Sequence, residues 1–259
     1  MDEKLIRLDN YIDVHLHTAP DIKPRLYFDI EAALHARAEK MAGLVIKSHL
    51  ESTASRARIA QEYTQIPVWG GVCLNSHVGG INAPVVEASA QLGAKIVWLP
   101  TISAPQIKVT PANLEEILPI IRDHDMVLAT GHLEVADIFL TLDLASSWGV
   151  KRLLVNHPLT SVVGADLDEQ KEMSRYAYLE HCFVACMREH DNLKPSVIAQ
   201  AIQEIGASRC IMATDFGQKH NPPPVKGFKL FIKAMLEEGI SPSKIHTMCY
   251  HNTHKLLLK

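Results

Sequence analysis

The chain has 259 residues, of which 47% are hydrophobic and 21% are charged, and its formal net charge is −3. This balance is typical of a globular protein with a large buried core, and it argues against a broad basic surface for nucleic acid or anionic lipid. The length suits one large domain over residues 1–259, and we expect small molecules as partners.

Short apolar, β-branched segments alternate with amphipathic segments along the whole chain. In chain order, the predicted strands cover residues 11–17, 43–49, 68–75, 95–101, 126–132, 152–157, 179–187 and 210–215. Helices are predicted after Asp29, over 53–65, 83–92, after Thr110, over 134–148, 167–177, 195–205 and 224–238, with a further C-terminal helix from Ser241. Successive strands start 25 to 32 residues apart, which leaves room for one helical crossover between parallel neighbours.

Eight consecutive βα units without an internal linker favour a (β/α)8 TIM barrel, an α/β fold in a single domain with an extra C-terminal helix. An open, doubly wound sheet is the alternative architecture. It is disfavoured because no glycine-rich phosphate-binding motif follows the first strand.

The expected compartment is the cytoplasm. Residues 1–13 lack the apolar core of a signal peptide, and no apolar run reaches the ~18 residues of a membrane span. The five cysteines are scattered and include no C-x-x-C pair, so we expect buried free thiols. We predict no membrane partner and leave open whether the chain forms a homo-oligomer.

Polar residues end most of the predicted strands, and in a TIM barrel the active site forms at this carboxyl end. They are His15 and His17 on the first strand, Lys47 and His49 on the second, Asn75 on the third, His132 on the fifth, His157 on the sixth and Asp215 on the eighth. Alternate residues of a strand share a face, so Asp13, His15 and His17 are expected to project the same way.

Imidazole nitrogens and carboxylate oxygens suit a borderline divalent ion, most simply Zn²⁺. Such an ion acidifies water and polarises a carbonyl or phosphoryl oxygen, which is the chemistry of hydrolysis. The carboxylate of Asp215 is placed to take a proton from the attacking water and return it to the leaving group.

The ordered set of motifs resembles the amidohydrolase superfamily of metal-dependent barrel hydrolases. It comprises the His-x-His pair of the first strand, ATGH on the fifth, VNHP on the sixth and ATDFG on the eighth. The resemblance spans the chain, including NTHKLLL at 252–258 as a closing helix. It implies His15, His17 and Asp215 as ligands of the more buried metal. His132 and His157 would bind a second metal. If only one metal is bound, one of them would be a ligand and the other would polarise the substrate carbonyl.

The chain departs from this superfamily where many members have a bridging lysine or glutamate. The fourth strand has Trp98 in that region, and the third strand has no acid or lysine. Glu180 or Lys47 would have to replace the bridge, so we favour one catalytic ion and keep two as the alternative.

The substrate is expected to be small and anionic. Arg25 lies in the loop after the first strand, and an inward-facing Lys47 should meet either an acid such as Asp13 or a substrate anion. His49, Asn75 and Glu180 complete the predicted substrate contacts. The alternatives to a hydrolase of amides, lactones or esters are a metal-dependent non-oxidative decarboxylase, a phosphoesterase, and a catalytically silent binding protein.

Overall fold

A computed structural model describes residues 3–258. The strands are β1 (Ile12–His17), β2 (Gly43–Lys47), β3 (Val68–Trp69), β4 (Gly71–Cys73), β5 (Ile96–Trp98), β6 (Val127–Ala129), β7 (Arg152–Asn156), β8 (Tyr178–Cys182) and β9 (Cys210–Ala213). The α-helices are α1 (Asp29–Ala38), α2 (Ala54–Thr64), α3 (Ala83–Gln91), α4 (Pro111–Asp123), α5 (Val135–Ser147), α6 (Leu167–Met173), α7 (Pro195–Ile205), α8 (Pro224–Glu237), α9 (Pro242–His246) and α10 (Asn252–Leu257).

All neighbouring strands are parallel, in two runs that follow chain order. β1, β2 and β3 form the first run, and β4 to β9 form the second. β3 and β4 are halves of one predicted strand, interrupted at Gly70. There the hydroxyl of Thr53 donates to Ile46 O (2.8 Å) and accepts from Gly71 N (2.9 Å), so this side chain continues the connection between β2 and β4.

Backbone hydrogen bonds join the last strand to the first. Asp215 N donates to His15 O (2.8 Å), and His17 N donates to Phe216 O (2.7 Å). Gly217 follows with a φ of +135°, and a Cβ atom there would lie 1.9 Å from His17 O, so a side chain cannot be accommodated. The strands thus follow one another around a barrel, and the predicted α/β barrel fold is confirmed.

The C-terminal helix that the sequence predicted is present, and it packs at the amino end of the strands. Asn252 Nδ2 donates to Ala207 O (2.8 Å) and Cys210 O (2.7 Å), and Arg152 Nη1 donates to Leu256 O (2.7 Å). Within residues 3–258 there is no helix whose length and hydropathy would let it cross a membrane. The five cysteines are free thiols, and all except Cys186 are buried, as expected.

Seven of the eight predicted strands end earlier in the structure than the hydrophobic pattern indicates, and two of these differences have a clear local cause. β8 stops at Cys182, where a 3-10 helix (Phe183–Cys186) begins. β6 stops at Ala129, because Gly131 turns the chain with a φ of +64° and packs so closely that a Cβ would lie 2.3 Å from Leu99 O. His132 therefore lies in a turn beyond the strand.

Candidate metal centre

Three predicted ligands converge where β1 meets the segment after β9. Asp215 Oδ1 lies 3.3 Å from His15 Nε2 and 3.1 Å from His17 Nε2. The three ligand atoms all lie within 4.8 Å of one another. Both histidines are buried, whereas the Asp215 side chain is 15% exposed and so is open to an incoming molecule.

The backbone at two predicted catalytic residues is in the left-handed region that non-glycine residues rarely adopt. Asp215 has a φ of +53° and His157 a φ of +24°. Such conformations are retained where the surrounding structure enforces them, and they concentrate at functional sites. For Asp215 the hydrogen bond from its N–H to His15 O supplies this constraint.

A second carboxylate orients each histidine of the pair. Glu180 Oε2 accepts from His15 Nδ1 at 3.0 Å, and Asp21 Oδ2 lies 3.5 Å from His17 Nδ1. Asn156 Nδ2 donates to the same Glu180 oxygen at 2.7 Å and holds it in place. A ring whose Nδ1 faces a carboxylate presents Nε2 to a metal, and such partners tune metal affinity.

The protonation states of these groups match the requirements of a divalent ion. Burial lowers the pKa of His17, and the neighbouring Arg25 lowers it further. Burial alone would raise the pKa of Asp215, but His15, His17 and Lys47 together bring it well below its ordinary value. A neutral His17 and an anionic Asp215 are therefore available at neutral pH, which fits a divalent metal such as Zn²⁺.

Two further groups of potential ligands share these histidines, but each has a feature that disfavours a cation. In the group of His17, Asp21 and His49, the Arg25 guanidinium already donates to the carboxylate of Asp21 at 2.8 Å, whereas no lysine or arginine of residues 3–258 forms an ion pair with Asp215. The other group is His15, Glu180 and Cys182. Burial raises the pKa of the Cys182 thiol well above its ordinary value, so the sulfur is not the thiolate that binds metals.

His157 and His132 lie beside the three ligands but are not part of that group. The His157 ring centroid is 6.0 Å from that of His15 and 4.9 Å from that of His132. Thr160 Oγ1 is 2.9 Å from His157 Nδ1, which leaves Nε2 free to act. Burial lowers the pKa of His157 to about 4 and that of His132 well below its ordinary value, so both rings are neutral.

Lys47 points into the barrel, as predicted, but it does not meet Asp13. Its Nζ lies 3.0 Å from His15 Nε2 and 5.3 Å from the centroid of the Trp98 ring. The expected common face for Asp13 and the two histidines is wrong, because the register between β1 and β2 shifts between Asp13 and Leu16. The Asp13 carboxylate instead accepts from the backbone N–H of Thr214 at 3.1 Å.

Three predicted substrate contacts have partners within the protein. Arg25 is paired with Asp21, and Glu180 is fully buried against His15. The amide of Asn75 donates to His49 O (3.2 Å) and Thr101 Oγ1 (3.0 Å) and accepts from Thr101 N (2.9 Å), so it fixes two neighbouring loops. Each group thus has internal partners, although Glu180 Oε1 has none among the described residues, and substrate contact by the three stays a prediction.

His49 remains a candidate substrate contact. Its ring centroid lies 4.7 Å from that of His17. Thr101 Oγ1 is 3.0 Å from its Nδ1, and its Nε2 has no hydrogen-bond partner within residues 3–258. Burial and the neighbouring His17 and Lys47 lower its pKa, which keeps the ring neutral.

Asp21 is the site residue that the sequence patterns did not single out. Its side chain is fully buried and accepts from Arg25 and from the backbone N–H of His49 (2.9 Å), while facing His17. It lies in an irregular loop, where no periodic pattern points to a buried carboxylate. Only its position four residues after His17 hinted at a contact.

We expect Asp21→Asn to weaken metal binding about 10- to 100-fold, since mutating the hydrogen-bond partner of a metal-binding imidazole typically costs this much affinity. Competition against a chromophoric chelator measures the dissociation constant. Asp143→Asn, which removes an exposed carboxylate on α5, is the matched control. Unchanged metal affinity in a folded Asp21→Asn protein would contradict the orienting role.

Comparison with known proteins gives a family and a set of similar folds. Residues 10–180 match the family of unknown function DUF6282, and the chain belongs to that family. No curated protein matches the sequence. A structure described as a 2-pyrone-4,6-dicarboxylic acid hydrolase from Pseudomonas putida is 15% identical, with a TM-score of 0.66 over 97% of this chain and 98% of the other.

Two other solved structures share the fold over nearly their whole length. Organophosphorus hydrolase from Deinococcus radiodurans is 14% identical, with a TM-score of 0.64 over 95% of this chain and 92% of the other. An amidohydrolase from Pseudomonas aeruginosa is 12% identical, with a TM-score of 0.62 over 96% of this chain and 95% of the other. The expected similarity to the amidohydrolase superfamily is thus confirmed at the level of the fold.

Proposed function

We propose that this chain is a metal-dependent hydrolase that opens a lactone or cleaves an ester or amide bond in a small anionic molecule. The observation that carries the proposal is the convergence of His15 Nε2, His17 Nε2 and Asp215 Oδ1 at the carboxyl end of a barrel. The neutral His17 imidazole beside an ionised carboxylate, with one side partly open, is a feature of a catalytic rather than a structural metal site.

The proposed roles follow from the contacts. A divalent ion held by His15, His17 and Asp215 would supply Lewis acidity toward water and toward the carbonyl oxygen. Asp215 Oδ1 faces both Nε2 atoms, so Oδ2 is the oxygen placed to take the proton of the attacking water and pass it to the leaving group. Thr160 Oγ1 donates to His157 O and therefore accepts from His157 Nδ1, so the neutral ring has a lone pair at Nε2 that is placed to accept a proton or to bind the metal.

We propose one Zn²⁺ ion per chain. His132 and His157 lie outside the group of converging ligands, and Trp98 occupies the barrel interior beside Lys47. No group of three converging ligands within residues 3–258 contains either of these two histidines. The free, mostly buried thiols support a reducing compartment, and we propose the cytoplasm.

The comparisons support a lactone or related ester as the bond cleaved. One similar structure is described as the hydrolase of a cyclic ester that has two carboxylates, and another is an organophosphorus hydrolase. The test is metal analysis of protein purified without chelator, followed by assays of 2-pyrone-4,6-dicarboxylate, simple lactones and a phosphotriester. We expect lactone hydrolysis that chelation abolishes and Zn²⁺ restores. Metal-loaded protein that cleaves none of the three would contradict the proposal.

Decarboxylation is the second candidate, and Lys47 is the observation that favours it. A buried ammonium without a carboxylate partner among the described residues is suited to hold a substrate carboxylate beside the metal. Analysis of the products for released CO₂ separates this reaction from hydrolysis, which releases none.

We expect Lys47→Met to retain most of the metal while weakening affinity for an acidic substrate at least about tenfold, because one charge-assisted hydrogen bond is lost. Metal content and KM for the dicarboxylate are the measurements. Lys244→Met, on a C-terminal helix, is the matched control. Loss of the metal in Lys47→Met would instead assign the lysine to the metal centre.

A further inference from the structure

Two histidines that the proposed mechanism does not use face each other at the rim of the barrel. His190 lies in the loop after β8, His220 lies in the loop after β9, and both are exposed. Their Nε2 atoms are 3.3 Å apart and their ring centroids 5.4 Å apart. Loops that follow the strands lie at the same end of the barrel as the metal centre.

Hydrogen bonds connect this pair to Asp215. Gln218 Nε2 donates to Asp215 O (2.9 Å), and Asn221 Nδ2 donates to Gln218 Oε1 (2.8 Å). The same Asn221 nitrogen lies 3.5 Å from His190 Nε2. The two imidazoles are therefore placed in a defined position relative to the metal centre.

Charged side chains of both signs surround the pair. Burial lowers the pKa of His190, Asp215 and Asp191 oppose this shift, and His220 and Lys23 add to it, so Lys23 lies within electrostatic range of the ring. Lys23 is exposed, as is Lys219 next to His220. Neither lysine forms an ion pair within residues 3–258, so both charges are available to a ligand.

We propose that His190 and His220, assisted by Lys23 and Lys219, form a subsite that binds a carboxylate of the substrate. Imidazole and ammonium N–H groups donate charge-assisted hydrogen bonds to a carboxylate, which would replace the contact between the two rings. The inference rests on the proposed hydrolase function. It supplies the anion recognition that Arg25 does not provide, since that guanidinium is paired with Asp21.

The test uses two substrates that share the pyrone ring but differ in charge, 2-pyrone-4,6-dicarboxylate and its dimethyl ester, and absorbance reports opening of the ring in each. The ratio of their kcat/KM values reports preference for the anion. We expect His190→Gln/His220→Gln to lower this ratio at least about tenfold through KM of the dicarboxylate. The double variant His124→Gln/His251→Gln, which replaces two exposed histidines outside the rim, should keep the wild-type ratio. An unchanged ratio in the rim variant would overturn the subsite.

A binding measurement separates failure of the subsite from failure of the hydrolase proposal. Metal-loaded protein is titrated calorimetrically with benzene-1,3-dicarboxylate, which needs no turnover. Affinity at least about tenfold weaker in the rim variant supports the subsite even if wild-type protein hydrolyses neither pyrone. Equal affinity in both proteins, or no binding to wild-type protein, overturns it. Loss of one metal ion per chain in the rim variant would also overturn it, by identifying the pair as a metal site.

Discussion

Replacing both histidines of β1, as His15→Ala/His17→Ala, is expected to reduce the metal content after dialysis to less than about a tenth of the wild-type value. Two of the three converging ligand atoms are removed, and Asp215 alone offers one oxygen from a partly exposed side chain. The measurement is metal per chain by elemental analysis after dialysis against metal-free buffer.

The matched control for this variant is His124→Ala/His251→Ala, which removes two exposed imidazoles and should leave the metal content unchanged. Circular dichroism establishes whether each variant is folded. A folded His15→Ala/His17→Ala protein with full metal content would show that the ion lies elsewhere in the barrel.

Asp215→Asn is expected to fold, to keep at least part of its metal, and to lose about 10²–10⁴-fold in turnover, the usual contribution of a positioned general base. The amide still offers an oxygen to the ion, but it cannot accept the proton of the attacking water. The measurement is kcat for whichever lactone or ester the wild-type protein hydrolyses, corrected for metal content.

Asp143→Asn serves as the control for this substitution, because it makes the same chemical change at an exposed position on α5. Wild-type turnover by metal-loaded Asp215→Asn would remove this carboxylate from the proton transfer. His157 would then be the next candidate base, because its Nε2 is free and its pKa is lowered to about 4.

The fold could be predicted because it depends on periodic features of the sequence, and the resemblance to the amidohydrolase superfamily indicated the three residues that converge. Because side chains alternate between the two faces of a strand, His15 and His17, which are two residues apart in β1, are expected on the same face. Counting eight βα units brings the last strand beside the first, and this adjacency puts Asp215 against the pair although it is distant in sequence. Neither conclusion requires knowledge of individual side-chain contacts.

What could not be predicted depends on irregular backbone and on competition between partners. No residue pattern marks the register shift in β1, and the Asp13 carboxylate accepts from the backbone N–H groups of His15 (3.3 Å) and Thr214 (3.1 Å) rather than joining the converging ligands. Arg25 could have faced a substrate, but a buried carboxylate four residues earlier is a nearer partner. The side-chain amide of Asn75 is likewise hydrogen-bonded to the backbone of a loop, because a buried amide without partners is costly.

The position of the ligands at the junction of β1 and β9 links the chemistry of the site to the integrity of the whole chain. His15 and Asp215 are 200 positions apart in the sequence, so an ion that bound both would act as a crosslink that closes 201 of the 259 residues into one loop. A closed loop of this size excludes many conformations of the unfolded chain. The free energy of metal binding therefore adds to the free energy of folding. The metal supply of the cell would then set how long each molecule survives, as well as how fast it works.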